Sequence, residues 1–282
     1  MPSKKKPFDK RETMRTAAEI RKGVIRALEA AGSGHIGGSM SLAEILAVLY
    51  TDILNVDPKD PKKKDRDYVV LSKGHCGPAL YATLAYKGYF DPSELLTLNQ
   101  GGTNLPSHCD RLKTTGIDIS TGSLGQGLSL ATGVALGKKL QGIPGKVFAI
   151  VGDGELQEGQ NWEAFLFIAH QKVTNLVTVV DNNRRQLDGY TADICDEADL
   201  GEKLSAFGFE VRRVDGHDVT ALYEAFATAG EGSKPTVVIC DTEKGHGCCI
   251  SEIDGFNHYM PVSHEDAKRA IEDIDRRLEA SL

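Results

Sequence analysis

The residues best suited to chemistry stand at the ends of two short apolar runs. The tripeptide Gly-Asp-Gly at 152–154 directly follows the run 147–151, and Asn183 comes shortly after the run 176–180. Continuous apolar runs of this length are typical of strands buried on both faces. Ligands bind beyond the carboxyl ends of such strands, so we expect Asp153 and Asn183 to meet there. Carboxylate and amide oxygens suit Mg²⁺, and glycines let a bulky anion approach the backbone. Either feature alone is more often a simple turn, but the two together predict a site for a metal and a diphosphate.

Three histidines, His35, His75 and His108, lie in glycine-rich or irregular segments of the chain. A single histidine in such a place is most often structural or simply exposed. Three of them favour a function in proton exchange, because histidine is the side chain best able to exchange protons near neutral pH. Lys244 lies beside a glycine after a further apolar run, where it suits a phosphate and a solvated loop equally well.

A glycine-rich loop at 121–127 precedes a predicted helix at 128–140. The glycine order is G-x-x-G-x-G rather than G-x-G-x-x-G, and the preceding residues 117–120 make a poor strand. We therefore exclude a Rossmann NAD site, and the sequence contains no Walker A motif. A loop at the start of a helix can still offer amide hydrogens to an anion. Small residues recur at positions 131, 133, 135 and 137, so we expect this helix to pack closely against the sheet or a partner chain.

The elements that must position these residues alternate along the chain as in an α/β fold. The sequence predicts strands at 68–71, 147–151, 176–180, 209–214 and 236–240, of which 147–151 and 176–180 are continuous apolar runs. Helical patterns or caps predict helices at 11–31, 42–50, 78–87, 128–140, 160–170, 219–229 and 263–282, with another beginning at Asp91. We therefore expect a parallel sheet flanked by helices. Ser41 and Glu44 have the spacing of a capping box, and Met40 and Ile45 that of a hydrophobic staple.

Length and charge limit the classes of protein that remain. We expect the 282 residues to form a single domain, 1–282, with 1–10 as a flexible tail; the lysines at 4–6 indicate neither a signal peptide nor an anchor. A net charge of −7 argues against nucleic acid as a partner. No apolar run approaches the ~20 residues that span a membrane. The six cysteines are scattered, which indicates thiols in a reducing cytoplasm rather than a disulfide framework.

Five groups of motifs carry a family resemblance. They are Ser33-Gly34-His35, Ser72-Lys73-Gly74-His75, Thr121-Gly122-Ser123-Leu124-Gly125-Gln126-Gly127, Gly152-Asp153-Gly154 with Glu158, and Asp181-Asn182-Asn183 with Leu187-Asp188-Gly189. Together they resemble the thiamine-diphosphate domain of transketolases, over nearly the whole chain. Two other functions stay open: the α subunit of a 2-oxo acid dehydrogenase decarboxylase component, which would not be expected to carry the histidine segments, and a non-catalytic cofactor-binding subunit.

The resemblance implies a fold, cofactors and residue roles. The fold is that of thiamine-diphosphate-binding domains, and the cofactors are thiamine diphosphate and a divalent metal, Mg²⁺ or alternatively Ca²⁺ or Mn²⁺. The metal ligands it implies are Asp153, Asn183 and the backbone carbonyl of Arg185. The cofactor-binding residues it implies are His75, Gly122, Ser123, Leu124, Asp153, Gly154, Glu158, Asn183, Leu187 and Lys244. The catalytic group it implies comprises His35, His75, His108 and His258, which would line the substrate channel and move protons, and Glu158, at an interface between cofactor domains.

The resemblance also implies a reaction and a partner chain. The reaction transfers a two-carbon ketol unit from a ketose or its phosphate to an aldose or its phosphate, and the cofactor stores the electrons of the broken carbon–carbon bond. In full-length transketolases a glutamate from a second domain activates the cofactor, whereas this sequence ends soon after His258. We therefore expect the N-terminal subunit of a split transketolase. It would be active only with a separate C-terminal subunit, as a heterotetramer with two interfacial sites.

Three residues depart from the family pattern. Arg185 stands where an aliphatic residue is usual, Cys109 follows His108 where proline is common, and Tyr259 follows His258 where glycine is common. These positions lie near the expected substrate channel. They indicate either an unusual sugar or neutral drift.

Overall fold

The computed structural model describes residues 7–253 and 255–282. Of the predicted flexible tail at 1–10, residues 1–6 lie outside the described part. The end of that tail belongs to the first helix, which begins at Lys10. The Asp9 carboxylate caps this helix by accepting the backbone N–H groups of Arg11 at 3.0 Å and Glu12 at 3.3 Å.

A five-stranded parallel sheet forms the centre of the fold, as predicted. Its strands, in spatial order, are β2 (Tyr68–Leu71), β3 (Val147–Gly152), β4 (Leu176–Asn182), β6 (Thr236–Asp241) and β5 (Glu210–Asp215). A separate antiparallel pair joins β1 (Ser33–Gly34) to β7 (Met260–Pro261). In the parallel sheet Gly152 pairs with Asp181. The carboxyl ends of β3 and β4 are therefore level with each other.

Helices cover both faces of the sheet. In the described residues they are α1 (Lys10–Ala31), α2 (Gly37–Met40), α3 (Ala43–Val48), α4 (Gly77–Tyr86), α5 (Gln126–Leu140), α6 (Gly159–Gln171), α7 (Thr191–Cys195), α8 (Leu200–Ala206), α9 (Val219–Ala227) and α10 (His264–Ser281). Helix α3 continues into a π-helical turn, Leu49–Ile53, and the helix predicted to begin at Asp91 is a 3₁₀ turn, Pro92–Thr97. None of the helices described has the combination of length and apolar character needed to cross a membrane.

Two apolar cores lie on the two faces of the sheet. Alternate residues of β3 point to opposite sides, so Phe148 and Ile150 join one core while Val147, Ala149 and Val151 join the other. Helices α1, α3, α4, α9 and α10 contribute to the first core, and α5, α6 and α8 to the second. Every residue of β3 and β4 is buried, which confirms the prediction from their apolar runs.

The capping box predicted for Ser41 and Glu44 is wrong. Helix α3 follows Leu42 and has no side-chain cap. The Ser41 hydroxyl donates to Asp181 Oδ2 at 2.7 Å, and Glu44 accepts two bonds from Arg21 at 2.6 and 2.7 Å. Both side chains are buried, and each bonds a charged group from a distant part of the chain instead of the free amides of its own helix.

Helix α5 packs against the sheet on one face and is exposed to solvent on the other. Leu128, Ala131 and Ala135 are buried against the sheet, which confirms that part of the prediction. On the opposite face Leu130 is 45% exposed, and a Cβ added to Gly133 would meet nothing within 4 Å. The outer face of α5 is therefore open to a partner.

Candidate active site

The carboxyl ends of the parallel strands open into a cleft of about 460 Å³. The predicted residues that line it are His35, His75, His108, Gly122, Leu124, Asp153, Gly154, Glu158, Asn183, Arg185, Leu187, Lys244 and His258. Ser123 is exposed and does not line the cleft, although its neighbours in the glycine-rich loop do. The fold thus gathers side chains from distant parts of the sequence at the strand ends where we expect the metal and diphosphate.

Asp153 is a buried carboxylate in the wall of the cleft and is 4% exposed. Its backbone N–H donates to the Asp181 carbonyl at 3.2 Å, and the Thr191 hydroxyl donates to its Oδ2 at 3.4 Å. Burial first, and then the negative charge of Asp181, raise the pKa of Asp153 to about 6. Such a carboxylate is stabilised by a cation, so its chemistry fits a divalent metal with oxygen ligands.

Asn183 follows β4 and is 7% exposed. Its side chain is held at both ends, because Nδ2 donates to Asp181 Oδ2 at 3.2 Å and Oδ1 accepts the backbone N–H of Arg185 at 3.1 Å. Gln186 Oε1 is buried in the same lining and lacks a hydrogen-bond partner among the described residues. A bound cation, or water held by it, would satisfy this orphaned oxygen. The residues present therefore fit a metal site.

Two glycines keep the backbone close to neighbouring side chains of the cleft. A Cβ on Gly154 would come within 2.8 Å of Gln186 Cβ, and one on Gly122 would come within 3.2 Å of the His108 ring. Without side chains of their own, both residues present bare backbone to the cleft. This arrangement suits a bulky anion such as a diphosphate.

Four histidines form one cluster in the cleft. The ring centroids are 5.2 Å apart for His35 and His75, 5.2 Å for His35 and His258, 5.0 Å for His75 and His258, and 6.0 Å for His35 and His108. Burial is the main cause that lowers the pKa to about 4 for His35, about 2 for His75 and about 3 for His258. Nearby positive groups lower these pKa values further. The three rings are neutral at neutral pH, so each can donate one hydrogen bond and accept another.

Lys244 is buried in the cleft and is not a solvated loop lysine. It is 9% exposed, and its Nζ donates to the Gln186 carbonyl at 3.1 Å and to His258 Nδ1 at 3.0 Å. Burial, followed by repulsion from Lys73, lowers the pKa of Lys244 to about 8. A bound anion would stabilise this ammonium group, which favours the phosphate interpretation over the solvated loop.

Glu155, which the motifs alone did not single out, joins three segments beneath the cleft. It is 3% exposed and accepts hydrogen bonds from the Ser72 hydroxyl, the Gly125 N–H at 2.9 Å and the Gly152 N–H at 3.1 Å. These donors belong to the end of β2, the glycine-rich loop and the end of β3. The available signal in the sequence was an acidic residue directly after Gly-Asp-Gly.

A buried ion pair between Lys73 and Asp181 was also not predicted. The two residues are 3% and 0% exposed. Burial opposes both charges, but each partner offsets this for the other, so the pKa of Lys73 is raised and that of Asp181 is lowered. Both residues stand in the quoted motifs, yet their contact joins positions 108 residues apart. The cleft also includes residues without a predicted role, among them Gly38, Gln157 and Gln186.

Arg185, the first departure from the family pattern, holds two loops together. Its guanidinium donates to the carbonyls of Ile253 at 3.3 Å and Gly255 at 3.1 Å, and to the Tyr190 hydroxyl at 2.6 Å. The guanidinium carbon also lies 4.5 Å from the centre of the Tyr190 ring. The side chain therefore braces the rim of the cleft.

Tyr259 and Cys109, the other two residues that depart from the family pattern, differ in their access to the cleft. Tyr259 is 43% exposed, its hydroxyl lies 2.9 Å from Ser33 Oγ, and its ring centroid is 4.9 Å from that of His35. Cys109 is 3% exposed, and burial raises the pKa of its thiol to about 12. Tyr259 thus borders the histidine cluster, whereas the Cys109 side chain packs in the core.

Comparison with known sequences shows the family directly. Residues 12–274 match the family described as transketolase, thiamine diphosphate binding domain. The 6-deoxy-6-sulfo-D-fructose transketolase subunit SqwG of Clostridium sp. (strain MSTE9) is 44% identical over 259 residues, which are 91% of this chain and 94% of the relative. One subunit of the apulose-4-phosphate transketolase of Actinobacillus succinogenes is 38% identical over 270 residues, which are 95% of this chain and 96% of the relative.

Solved transketolase structures share the fold. The transketolase from Leishmania mexicana superposes with a TM-score of 0.86 at 28% identity, over 95% of this chain and 41% of its own. The transketolase from Campylobacter jejuni superposes with a TM-score of 0.87 at 30% identity, over 95% of this chain and 43% of its own. These findings favour transketolase over a 2-oxo acid dehydrogenase subunit. From the match over 12–274 and the similar relatives, the chain belongs to the transketolase family, in which it corresponds to the thiamine diphosphate binding domain.

Proposed function

We propose that the chain is the cofactor-binding, N-terminal subunit of a two-chain transketolase that transfers a two-carbon ketol unit from a ketose or its phosphate to an aldose or its phosphate. The observation that carries the proposal is the cleft, where a buried carboxylate, a buried lysine and a cluster of four histidines converge, and where His35, His75 and His258 are neutral. Two relatives that are named as transketolase subunits align with this chain over nearly their whole length, which supports a division of the enzyme into two chains.

One end of the cleft would hold the cofactor and its metal. Thiamine diphosphate, when bound, would supply a nucleophilic carbanion and an electron sink for the broken carbon–carbon bond. Mg²⁺, Ca²⁺ or Mn²⁺ would be held by Asp153, Asn183 and the Arg185 carbonyl. The cofactor would be held by His75, Gly122, Leu124, Gly154, Leu187 and Lys244, which line the cleft, whereas Ser123 does not.

The histidine cluster would bind the sugar and orient the hydroxyl groups that exchange protons in the reaction. Because His35, His75 and His258 are neutral, their ring nitrogens can accept hydrogen bonds from sugar hydroxyls as well as donate them. The ring spacing of 5.0 to 6.0 Å lets one sugar chain contact more than one ring. His108, whose ring centroid lies 6.0 Å from that of His35, would complete the channel wall.

We assign the bare face of α5, with the adjoining face of α6, to the C-terminal subunit. Leu130 on α5 and Leu166 and Phe167 on α6 are 45%, 64% and 44% exposed, and a side chain at Gly133 would project into open space. Glu158 stands just before α6 and lines the cleft. A partner docked on this face would therefore reach the cleft, as an interfacial site in a heterotetramer requires.

A cytoplasmic location belongs to the same proposal. The six cysteines are free thiols in the structure. A reducing compartment keeps thiols in that state.

Reconstitution with the C-terminal transketolase subunit expected from a neighbouring reading frame tests the function. Ketol transfer from a phosphorylated or sulfonated ketose to an aldose phosphate is expected only when both chains, thiamine diphosphate and Mg²⁺ are present. Transfer by the purified chain alone, or turnover of a 2-oxo acid by the complex, would contradict the proposal.

The Asp153→Ala variant distinguishes a subunit with a catalytic function from one that only binds the cofactor. It is expected to abolish transfer in the assembled complex without preventing assembly, because the buried carboxylate that would hold the metal is lost. Asp60→Ala, at an exposed loop position, is the control and should retain full activity. Full activity of the Asp153→Ala complex would favour a cofactor-binding subunit without a catalytic function.

A further inference from the structure

The Asp181 carboxylate is a fully buried group with four side-chain partners. Its Oδ2 accepts hydrogen bonds from Ser41 Oγ at 2.7 Å, from Asn183 Nδ2 at 3.2 Å and from the ammonium of Lys73. Its Oδ1 accepts a hydrogen bond from the Thr242 hydroxyl. The carboxylate is 0% exposed, so these four donors replace water completely.

Asp181 is hydrogen-bonded to both residues proposed as side-chain ligands of the cation, to the backbone of Asp153 and to the side chain of Asn183. Its backbone carbonyl accepts the N–H of Asp153, and its carboxylate accepts from Nδ2 of Asn183. A bonded Nδ2 defines the orientation of the amide and therefore the direction in which Oδ1 can point. Thr242, a third partner, precedes Lys244 by two residues on the loop after β6. The carboxylate thus holds three segments of the cleft in register.

Lys73 supplies the positive charge of this arrangement. It is 3% exposed, and its Nζ also lies 3.4 Å from the Gly38 carbonyl. A buried ion pair usually contributes little more to stability than apolar side chains of the same volume, whereas loss of one partner is strongly destabilising. The consequence of such a pair is the geometry that it imposes on its neighbours.

We propose that the Lys73 and Asp181 pair positions Asn183 for the divalent cation, an inference that rests on the proposed cofactor site. Lys73 and Asp181 are positioning residues, since the cation would be held by their neighbours. Groups that orient metal ligands in this way typically change metal affinity about 10- to 100-fold when they are altered.

Binding of Mn²⁺ to the full chain tests the inference. Free Mn²⁺ is measured by electron paramagnetic resonance at a fixed concentration of thiamine diphosphate, against a protein-free blank. The variants Lys73→Met and Asp181→Asn each leave one buried charge unpaired and are expected to lower the melting temperature. The double variant removes both charges. It is expected to regain most of the melting temperature and still bind Mn²⁺ about 10- to 100-fold more weakly, because an amide at 181 cannot accept from all three donors that remain, Ser41, Asn183 and Thr242.

A second buried pair provides a matched control. Arg66 and Asp118 have side chains that are 13% and 6% exposed, and they lie near the opposite end of β2. The double variant Arg66→Met with Asp118→Asn should change the melting temperature but leave Mn²⁺ affinity as in the wild type. Ser41→Ala removes one neutral donor from Asp181 without an unpaired charge, and should weaken Mn²⁺ binding to a smaller extent.

Two outcomes would overturn the inference, and they differ in meaning. The first outcome is that Lys73→Met with Asp181→Asn binds Mn²⁺ as tightly as the wild type, and that Ser41→Ala does so too. This result would show that the pair has only a structural function. The second outcome is that neither the wild-type chain nor its assembled complex binds Mn²⁺ in a cofactor-dependent way. This result would contradict the proposed cofactor site and, with it, the inference about the pair.

Discussion

Replacement of Gly154 by alanine is expected to weaken cofactor binding by displacing the loop that faces it. The new Cβ would lie 2.8 Å from Gln186 Cβ, which is roughly 1 Å inside the usual contact distance of two carbon atoms. The Gln186 carbonyl accepts a hydrogen bond from Lys244 Nζ at 3.1 Å. A displacement of roughly 1 Å lengthens that contact beyond hydrogen-bond range and releases Lys244 from its position in the cleft.

The expected loss of cofactor affinity in Gly154→Ala follows from the free-energy cost of overpacking. An added methyl group in a packed site costs about 1–3 kcal/mol. Bound cofactor requires the original geometry of the loop, so this cost lowers the affinity for thiamine diphosphate. Because about 1.4 kcal/mol corresponds to a factor of ten, the expected loss of affinity is roughly 5- to 140-fold. The melting temperature of the free variant should change less, because the loop can relax in the absence of cofactor.

The assay is a titration of the full chain, or of the assembled enzyme, with thiamine diphosphate and Mg²⁺ in a calorimeter. Trp162, the single tryptophan, donates to the Leu156 carbonyl in the turn after Gly154, so its fluorescence provides a second signal. Gly159→Ala at the start of α6 is the control, since its Cβ would meet nothing within 4 Å. Wild-type affinity in Gly154→Ala, or an equal loss in Gly159→Ala, would refute the reasoning.

Three further predictions concern stability and assembly. The contribution of His35 to the free energy of unfolding should fall as the pH drops from 6.5 toward about 4, because the unfolded chain binds a proton there that the folded His35 does not. His35→Asn should show a shallower profile in urea titrations, and an unchanged slope would contradict this assignment. Gly133→Ala should raise the unfolding free energy of the isolated chain by about 0.5–1 kcal/mol, since a helical glycine in open space is replaced. Gly133→Leu should prevent co-elution with the C-terminal subunit in size-exclusion chromatography, and normal co-elution would exclude this face as the docking site. Glu155→Gln should destabilise the chain by about 1–3 kcal/mol in urea, because its NH2 group would face at least one of the three donors that the carboxylate accepts. Glu163→Gln on the exposed side of α6 is the control, and equal midpoints for the two variants would refute a structural function of Glu155.

The sheet was predictable because strands buried on both faces must be apolar throughout. The runs 147–151 and 176–180 lie within β3 and β4, and both strands extend beyond those runs, to Gly152 and Asn182. The extension arises because Gly152 pairs with Asp181, so the hydrogen-bonded ladder continues past the last apolar residue. Strand existence therefore followed from composition, whereas strand ends depended on the neighbouring strand.

Individual polar side chains were less predictable. Ser41 has the spacing of a helix cap, but its hydroxyl donates to a carboxylate 140 residues away. Lys244 suited a solvated loop as well as a phosphate site, and the packing of the loop after β6 buried it. Ser123 belongs to a loop that lines the cleft, yet its own side chain is exposed. In each case a contact outside the local segment decided the outcome.

The sequence by itself determined the α/β pattern, the polar residues at the strand ends and the resemblance to transketolases, because these depend on residue types at short spacing. Only the tertiary structure decided that Lys73 pairs with Asp181, that Glu155 holds three segments together, and that three of the clustered histidines are neutral. These features depend on burial and on contacts between residues far apart in the chain. No local pattern encodes them, since the energy of a charge or a hydrogen bond is set by what surrounds it after folding.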